Sequence, residues 1–181
     1  MLTTARLRLE PLGLHHADAL FAVLAHAEAW TFLGGLDPAF DRAAVVRRLE
    51  RLAQGPPPER SNQRWLNALV FESQTNTPLG RVEATLHDDV GETWGEVAYV
   101  FSPVAWGRGF ATEAMRAFIG DLVERYGVVE LWACMDPANE RSHRLADRLG
   151  FGPGEPRLGL ASYDPGDLAC RLVCPSRLRP G

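Results

Sequence analysis

The sequence predicts a mixed α/β (α+β) fold, with one mostly antiparallel central sheet and about four flanking helices. Three observations predict it. From Trp65 to Phe101, three apolar-alternating runs are separated by short turn-forming segments, the pattern of an antiparallel meander. Ala111, Ala114, Met115, Phe118, Ile119, Leu122, Val123 and Tyr126 then recur at three- and four-residue steps, the period of an amphipathic helix. A further strand, Val128–Met135, follows that helix directly.

In chain order, Leu7, Leu9 and Leu12 alternate with Arg6, Arg8 and Glu10 as a first strand closing at Pro11. His15–Ala27 is a predicted helix with Ala19, Leu20, Val23 and Leu24 on one side. His15 and His16 are adjacent, so on a helix they point apart and no metal pair is expected. Trp30–Phe40 is loop-like, carrying Gly34, Gly35 and Pro38. Asp41 is the expected N-cap of a helix to about Ala53, with Val45, Val46, Leu49 and Leu52 inward. Arg42, Arg47, Arg48 and Arg51 form its solvated face, or contact an acidic ligand group. Gln54–Arg60, with three prolines, is a stiff connector rather than a domain linker. The meander strands are Trp65–Glu72, Leu79–His87 and Trp94–Phe101. Asp136–Asn139 opens a short helix to Leu149, and Gly150 closes it. Two last strands, Arg157–Ala161 and Leu168–Cys174, flank a turn at Tyr163–Gly166, and Pro175 onward is expected to fray. The whole of 1–181 is expected to be one domain.

Composition narrows the function. A 46% hydrophobic, 23% charged chain is ordinary for a soluble globular protein, and no apolar run is long enough to span a bilayer. Cys134, Cys170 and Cys174 form no even framework and no Cys-x-x-Cys, so reduced thiols in a cytoplasmic protein are expected. A net charge of −4 argues against nucleic acid as partner. All nineteen basic residues are arginine, which excludes a Walker-type lysine, a lysine Schiff base and a catalytic lysine together.

Gly107 and Gly109 stand just before the long helix, where absent side chains allow close approach to the backbone. A helix N-terminus has unpaired N–H groups and a positive dipole end, so an anion is expected there. Dinucleotide binding fails on context: the third small residue is replaced by Thr112, the acidic residue expected at the end of the next strand is missing, and a meander precedes the loop.

Trp106-Gly-Arg-Gly-Phe-Ala111 resembles the pyrophosphate loop of the GNAT-type N-acetyltransferases. Asn139-x-x-Ser142-x-x-x-Ala146-x-x-x-Gly150-Phe151 is similar to that family's second cofactor-contacting helix. Thr4–Leu12, Gly95–Tyr99 and Trp106–Ala114 resemble the RimJ/RimL-like branch of ribosomal-protein alanine N-acetyltransferases, and the likeness runs from about Thr4 to Val173. The resemblance implies a GNAT-like sheet with a splayed strand pair opening into a V. It implies acetyl-CoA as cosubstrate, with its pantetheine arm bonding the backbone near Tyr99, Val100 and Phe101. Its pyrophosphate would rest on the amides of Gly107, Arg108, Gly109, Phe110, Ala111 and Thr112, with Arg108 adding charge, while Asn139 would bond the pantetheine. No metal is implied.

The implied reaction is attack of a primary amine, a protein N-terminus or a small molecule, on the thioester. Glu96 is the expected general base, directly or through a water, because alternation puts it with Ala98 and Val100 on one strand face; Glu83 is the reserve. Many members carry a tyrosine seven residues after the asparagine as general acid, where this chain has Ala146; Ser142 is the substitute. Trp106 replaces a usual Gln or Arg, which predicts altered packing with phosphate binding retained. Trp30 and Phe32 are expected to line the acceptor site, and a homodimer through sheet or tail strands is a further expectation. The alternative function is a non-catalytic acyl-CoA-binding or sensing domain of the same fold.

Overall fold

A computed structural model describes residues 1–174. It contains one eight-stranded sheet, β1 (Leu2–Thr3), β2 (Leu7–Pro11), β3 (Gln63–Glu72), β4 (Pro78–Asp89), β5 (Glu92–Phe101), β6 (Val128–Met135), β7 (Gly152–Pro153) and β8 (Leu168–Val173). The spatial order is β1-β2-β3-β4-β5-β6-β8-β7. Every neighbouring pair is antiparallel except β5 and β6, which run parallel because a helix joins them. That helix is α3 (Phe110–Tyr126); the others are α1 (Ala17–Leu24), α2 (Arg42–Ala53) and α4 (Glu140–Leu149).

Each sheet face buries the apolar stripe of its own helices. Leu7, Leu9, Val82, Leu86, Val97 and Phe101 pack with Phe110, Ala114, Met115, Phe118 and Leu122 of α3. The opposite face sets Leu69, Phe71 and Val100 against Leu20, Val23 and Leu24 of α1 and Val45 and Leu49 of α2. A third cluster joins Trp94 and Trp132 to Leu160 and Ala169. Each fully buried leucine among these contributes about 1.5–3 kcal/mol. The N-cap of α2 is as expected: the Asp41 carboxylate accepts from the Ala44 N–H at 2.7 Å. Asn139 caps α4 in the same way, accepting from Ser142 N at 3.2 Å, and Gly150 ends it at φ 90°.

Four local expectations are corrected. The first helix is shorter than His15–Ala27: a 3₁₀ turn at Leu14–His16 leads into α1, and a second 3₁₀ turn covers Ala27–Trp30. The Trp30 indole N–H donates to the Leu24 carbonyl at 2.7 Å, taking the acceptor a continuing helix would use. His15 and His16 do not diverge, since in the 3₁₀ turn their rings lie 3.8 Å apart. His16 is buried; its Nδ1 accepts from the Gly13 N–H and its Nε2 meets Glu10 at 3.0 Å, so both ring nitrogens have protein partners. Arg157–Ala161 is not a strand. Arg157 is drawn to Asp89, Glu92 and Glu130, Gly159 takes φ 87°, and Leu160 turns into the tryptophan cluster. The strand pairing with β8 at that edge is instead Gly152–Pro153, and Leu2–Thr3 adds a first strand that two residues could not announce. The fraying expected from Pro175 lies outside the described residues.

Candidate functional site

β5 and β6 separate partway along their length. They pair from Thr93–Val128, with a register shift before Trp94, to Glu96–Trp132 and no further, although β5 continues to Phe101 and β6 to Met135. The β5 edge beyond Glu96 therefore carries main-chain groups with no strand on that side, able to take an extended ligand as an added strand. An open cleft of about 2410 Å³ follows this opening. It is lined by Ala98, Tyr99, Val100 and Phe101 from β5, Ala133–Met135 from β6, the glycine loop, and Asn139 and Ser142 of α4.

The loop is built for an anion. Gly107 and Gly109 adopt φ 72° and 78°, a region that side chains disfavour, and a Cβ at Gly107 would meet nothing within 4 Å. Gly109 caps α3 with no side chain, so the first-turn amides of Phe110, Ala111 and Thr112 receive no side-chain acceptor. Arginines of α3 and α4 surround the same part of the cleft: Arg116, Arg141, Arg144 and Arg148 line it. Arg141 lies 4.0 Å over the Trp106 ring, whose indole N–H donates to the Phe101 carbonyl at 2.9 Å. Arg6 also lines the cleft, its guanidinium bonded to Glu113 and to the Arg108 carbonyl at 3.0 Å. Burial alone would raise the Glu113 carboxyl, but Thr4 and Arg6 outweigh it and hold it below the ordinary range.

Glu96 lies one layer behind the cleft wall and is 6% exposed. His87 Nε2 is 2.9 Å from its Oε1, and the Ser162 N–H donates to its Oε2 at 2.7 Å. His87 is itself buried and stacked on Trp94, with centroids 4.0 Å apart. Ser162, which bonds Glu96, and Cys134 both line the cleft, so the carboxylate reaches the open space past these two residues. Burial raises the Cys134 thiol, keeping it protonated at neutral pH. Across the cleft, the Tyr99 hydroxyl donates to the Ser142 carbonyl at 3.3 Å, and burial raises that phenol. Ala146 is buried in the core beside them.

The structure thus brings Tyr99, Val100, Phe101, Gly107, Gly109, Ala111, Thr112, Asn139, Ser142 and Phe32 to one cleft. Glu96 lies behind the lining, and four further residues stand apart. The Arg108 guanidinium turns to Glu72 at 2.9 Å, and the Phe110 ring is buried between it and Arg6. Trp30 packs with Phe40 in the α1–α2 core and does not line the cleft. Glu83, the reserve base, is engaged by Arg48 and Arg81. Arg48 is therefore not part of a purely solvated helix face. Sequence reasoning missed His87 and the cleft arginines. The β4 alternation of polar Arg81, Glu83, Thr85 and His87 with apolar Val82, Ala84 and Leu86 is the signal that could have found the former.

The family described as acetyltransferase (GNAT) domain matches residues 6–152. The Bacillus subtilis protein YkkB, uncharacterised, is 25% identical over 151 residues, covering 83% of this chain and 84% of its own. Among solved structures, the ribosomal-protein-S5-alanine acetyltransferase of Vibrio fischeri superposes with a TM-score of 0.71 at 16% identity, covering 94% of both chains. RimL, a ribosomal L7/L12 α-N-protein acetyltransferase solved with coenzyme A, gives 0.72 at 16% identity, covering 94% of this chain and 95% of that one.

Proposed function

Because the chain belongs to the GNAT acetyltransferase family, we propose that it moves the acetyl group of acetyl-CoA to a primary amine by direct attack. The observation that carries this reading is the strand opening after Glu96 beside an uncapped glycine-loop helix. The pyrophosphate sits on the amides of Gly107 through Thr112, with the cleft arginines taking further phosphate charge. The pantetheine arm bonds the free edge of β5 at Tyr99–Phe101. Asn139 contributes a donor to it, since its Oδ1 is committed to capping and its amide nitrogen has no partner among the described residues.

The amine nitrogen attacks the thioester carbon, the tetrahedral oxyanion collapses, and the C–S bond breaks to release CoA thiolate. Glu96 receives the amine proton through a water at Ser162, and His87 holds the carboxylate in place. Ser142, with the protonated Tyr99 hydroxyl beside it, supplies the hydrogen bond or proton to the departing sulfur. Holding the two reactants in register supplies much of the rate, so a weak acid at this position is tolerated. The acceptor is a small-molecule amine or a protein N-terminus, the class on which the named structural neighbours act. CoA release measured with a panel of amines tests the reading. Amine-dependent release supports it, and CoA binding without release across the panel favours a sensing domain instead.

A further inference from the structure

The mechanism leaves one buried ionic cluster unused; its residues do not line the cleft, but the two on β4 lie directly across from two that do. Arg81 and Glu83 lie on the β4 face opposite to Val82, which packs toward α3. The register sets Arg81 opposite Val100 and Glu83 opposite Ala98, both of which line the cleft on β5. Arg48 comes down from α2, its Nη2 3.3 Å from Glu83 Oε2. Arg81 Nη1 is 3.0 Å from the same oxygen, and its Nη2 is 3.3 Å from Oε1.

Two guanidinium groups thus share one carboxylate, an excess of one positive charge. The Arg81 side chain is only 9% exposed, and burial pushes its pKa down to about 10, with Arg48 pressing the same way against the pull of Glu83. The Nε atoms of both arginines are buried without a hydrogen-bond acceptor among the described residues. A buried cation with unpaired donors is costly, so a second anion in this cluster would be stabilised by charge and by hydrogen bonds together. The side open to solvent is the Arg48–Glu83 side, where the side chains are 34% and 26% exposed.

The other flank of the cleft has the opposite sign. Asp164 and Asp167 line it from the turn next to Ser162, which bonds Glu96. An acceptor lying along Ala98 would meet carboxylates at its amine end and arginines at the far end.

We propose that Arg48 and Arg81 form an anion subsite and that the acceptor is an amine carrying a carboxylate. This rests on the acetyl-transfer reading and names its substrate class. The carboxylate belongs either to a free amino acid or to an acidic side chain near a peptide N-terminus. Two matched pairs separate these sources: β-alanine against β-alaninamide, and Ala-Asp-Ala-amide against Ala-Asn-Ala-amide. The acid member of at least one pair should show kcat/KM higher by about tenfold, the scale of a charge-assisted hydrogen bond. Arg48→Met should abolish that preference. Glu83→Gln, which raises the local charge, should increase it, an effect that loss of packing would not produce. Equal kcat/KM within both pairs, or a preference surviving Arg48→Met, overturns the subsite alone. No turnover of any member, while the wider amine panel still drives CoA release, overturns the subsite alone. No release with these or any panel amine, while CoA still raises the melting temperature, overturns the transfer reading with it.

Discussion

Glu96 has both carboxylate oxygens occupied, one by His87 and the other by the Ser162 amide, and it faces the cleft only past its neighbours. A carboxylate so held has one rotamer and one route for a proton, which suits a base acting through a fixed water. Glu96→Gln should lower kcat by about 10²–10⁴-fold, the usual scale of general-base loss, with CoA affinity unchanged. His87→Gln keeps a donor for Glu96 and should retain most activity, whereas His87→Leu removes it and should lower kcat by about tenfold. Steady-state kinetics beside CoA titration separates these outcomes from a packing defect, which would move the melting temperature and leave kcat alone. At this scale the sequence was partly legible. Alternation put Glu96 on the strand face of Ala98, and Ser142 of α4 lies on the cleft. His87 and Glu96 are nine residues apart on adjacent strands, within reach of the β4 alternation. The Arg108 side chain, by contrast, is turned outward by Glu72, a partner 36 residues away that leaves no local periodic trace.

Helix α3 and its loop are where local sequence is most informative, because a glycine pair, an apolar period and a C-terminal glycine agree. Gly109→Glu should cost only about 1–2 kcal/mol of stability from its left-handed backbone, while placing negative charge at the phosphate cradle. CoA affinity should fall by at least about tenfold in calorimetry; unchanged affinity would move the cofactor elsewhere. The elements at the other edge are tied by charge. Glu130 of β6 is pushed up by burial but pulled down further by Trp132, Arg171 and Arg157, and its net pKa lies below 4.5. A carboxyl with a depressed folded pKa adds stability above its unfolded value, and that stability is lost as pH falls through the folded one. Melting temperature should therefore drop as pH falls below about 4.5, and Glu130→Gln should flatten that drop. The region 157–161 misled sequence reading for the same reason. Its arginine serves three carboxylates on β4, β5 and β6, which an isolated strand pattern does not encode.

For the whole molecule, the meander, the long helix and the strand that follows it were legible from period and order. The splay was not readable from residue patterns and entered only through family resemblance, because strand divergence is set by the twist of the whole sheet. It nonetheless organises the site: the free β5 edge, the glycine loop and α4 meet where β5 and β6 part. Trp30, expected at the acceptor site, was drawn into the α1–α2 core, while Phe32 stayed on the cleft.

Within this cleft, direct transfer to the amine competes with acetylation of the protonated Cys134 thiol at its wall. Following CoA thiol release and the intact mass of the chain together, with and without an amine acceptor, tests it most directly. The account predicts thiol release only when amine is present, one acetylated amine per thiol, and an unchanged protein mass throughout. Thiol release without amine, accompanied by a chain one acetyl group heavier, would contradict it.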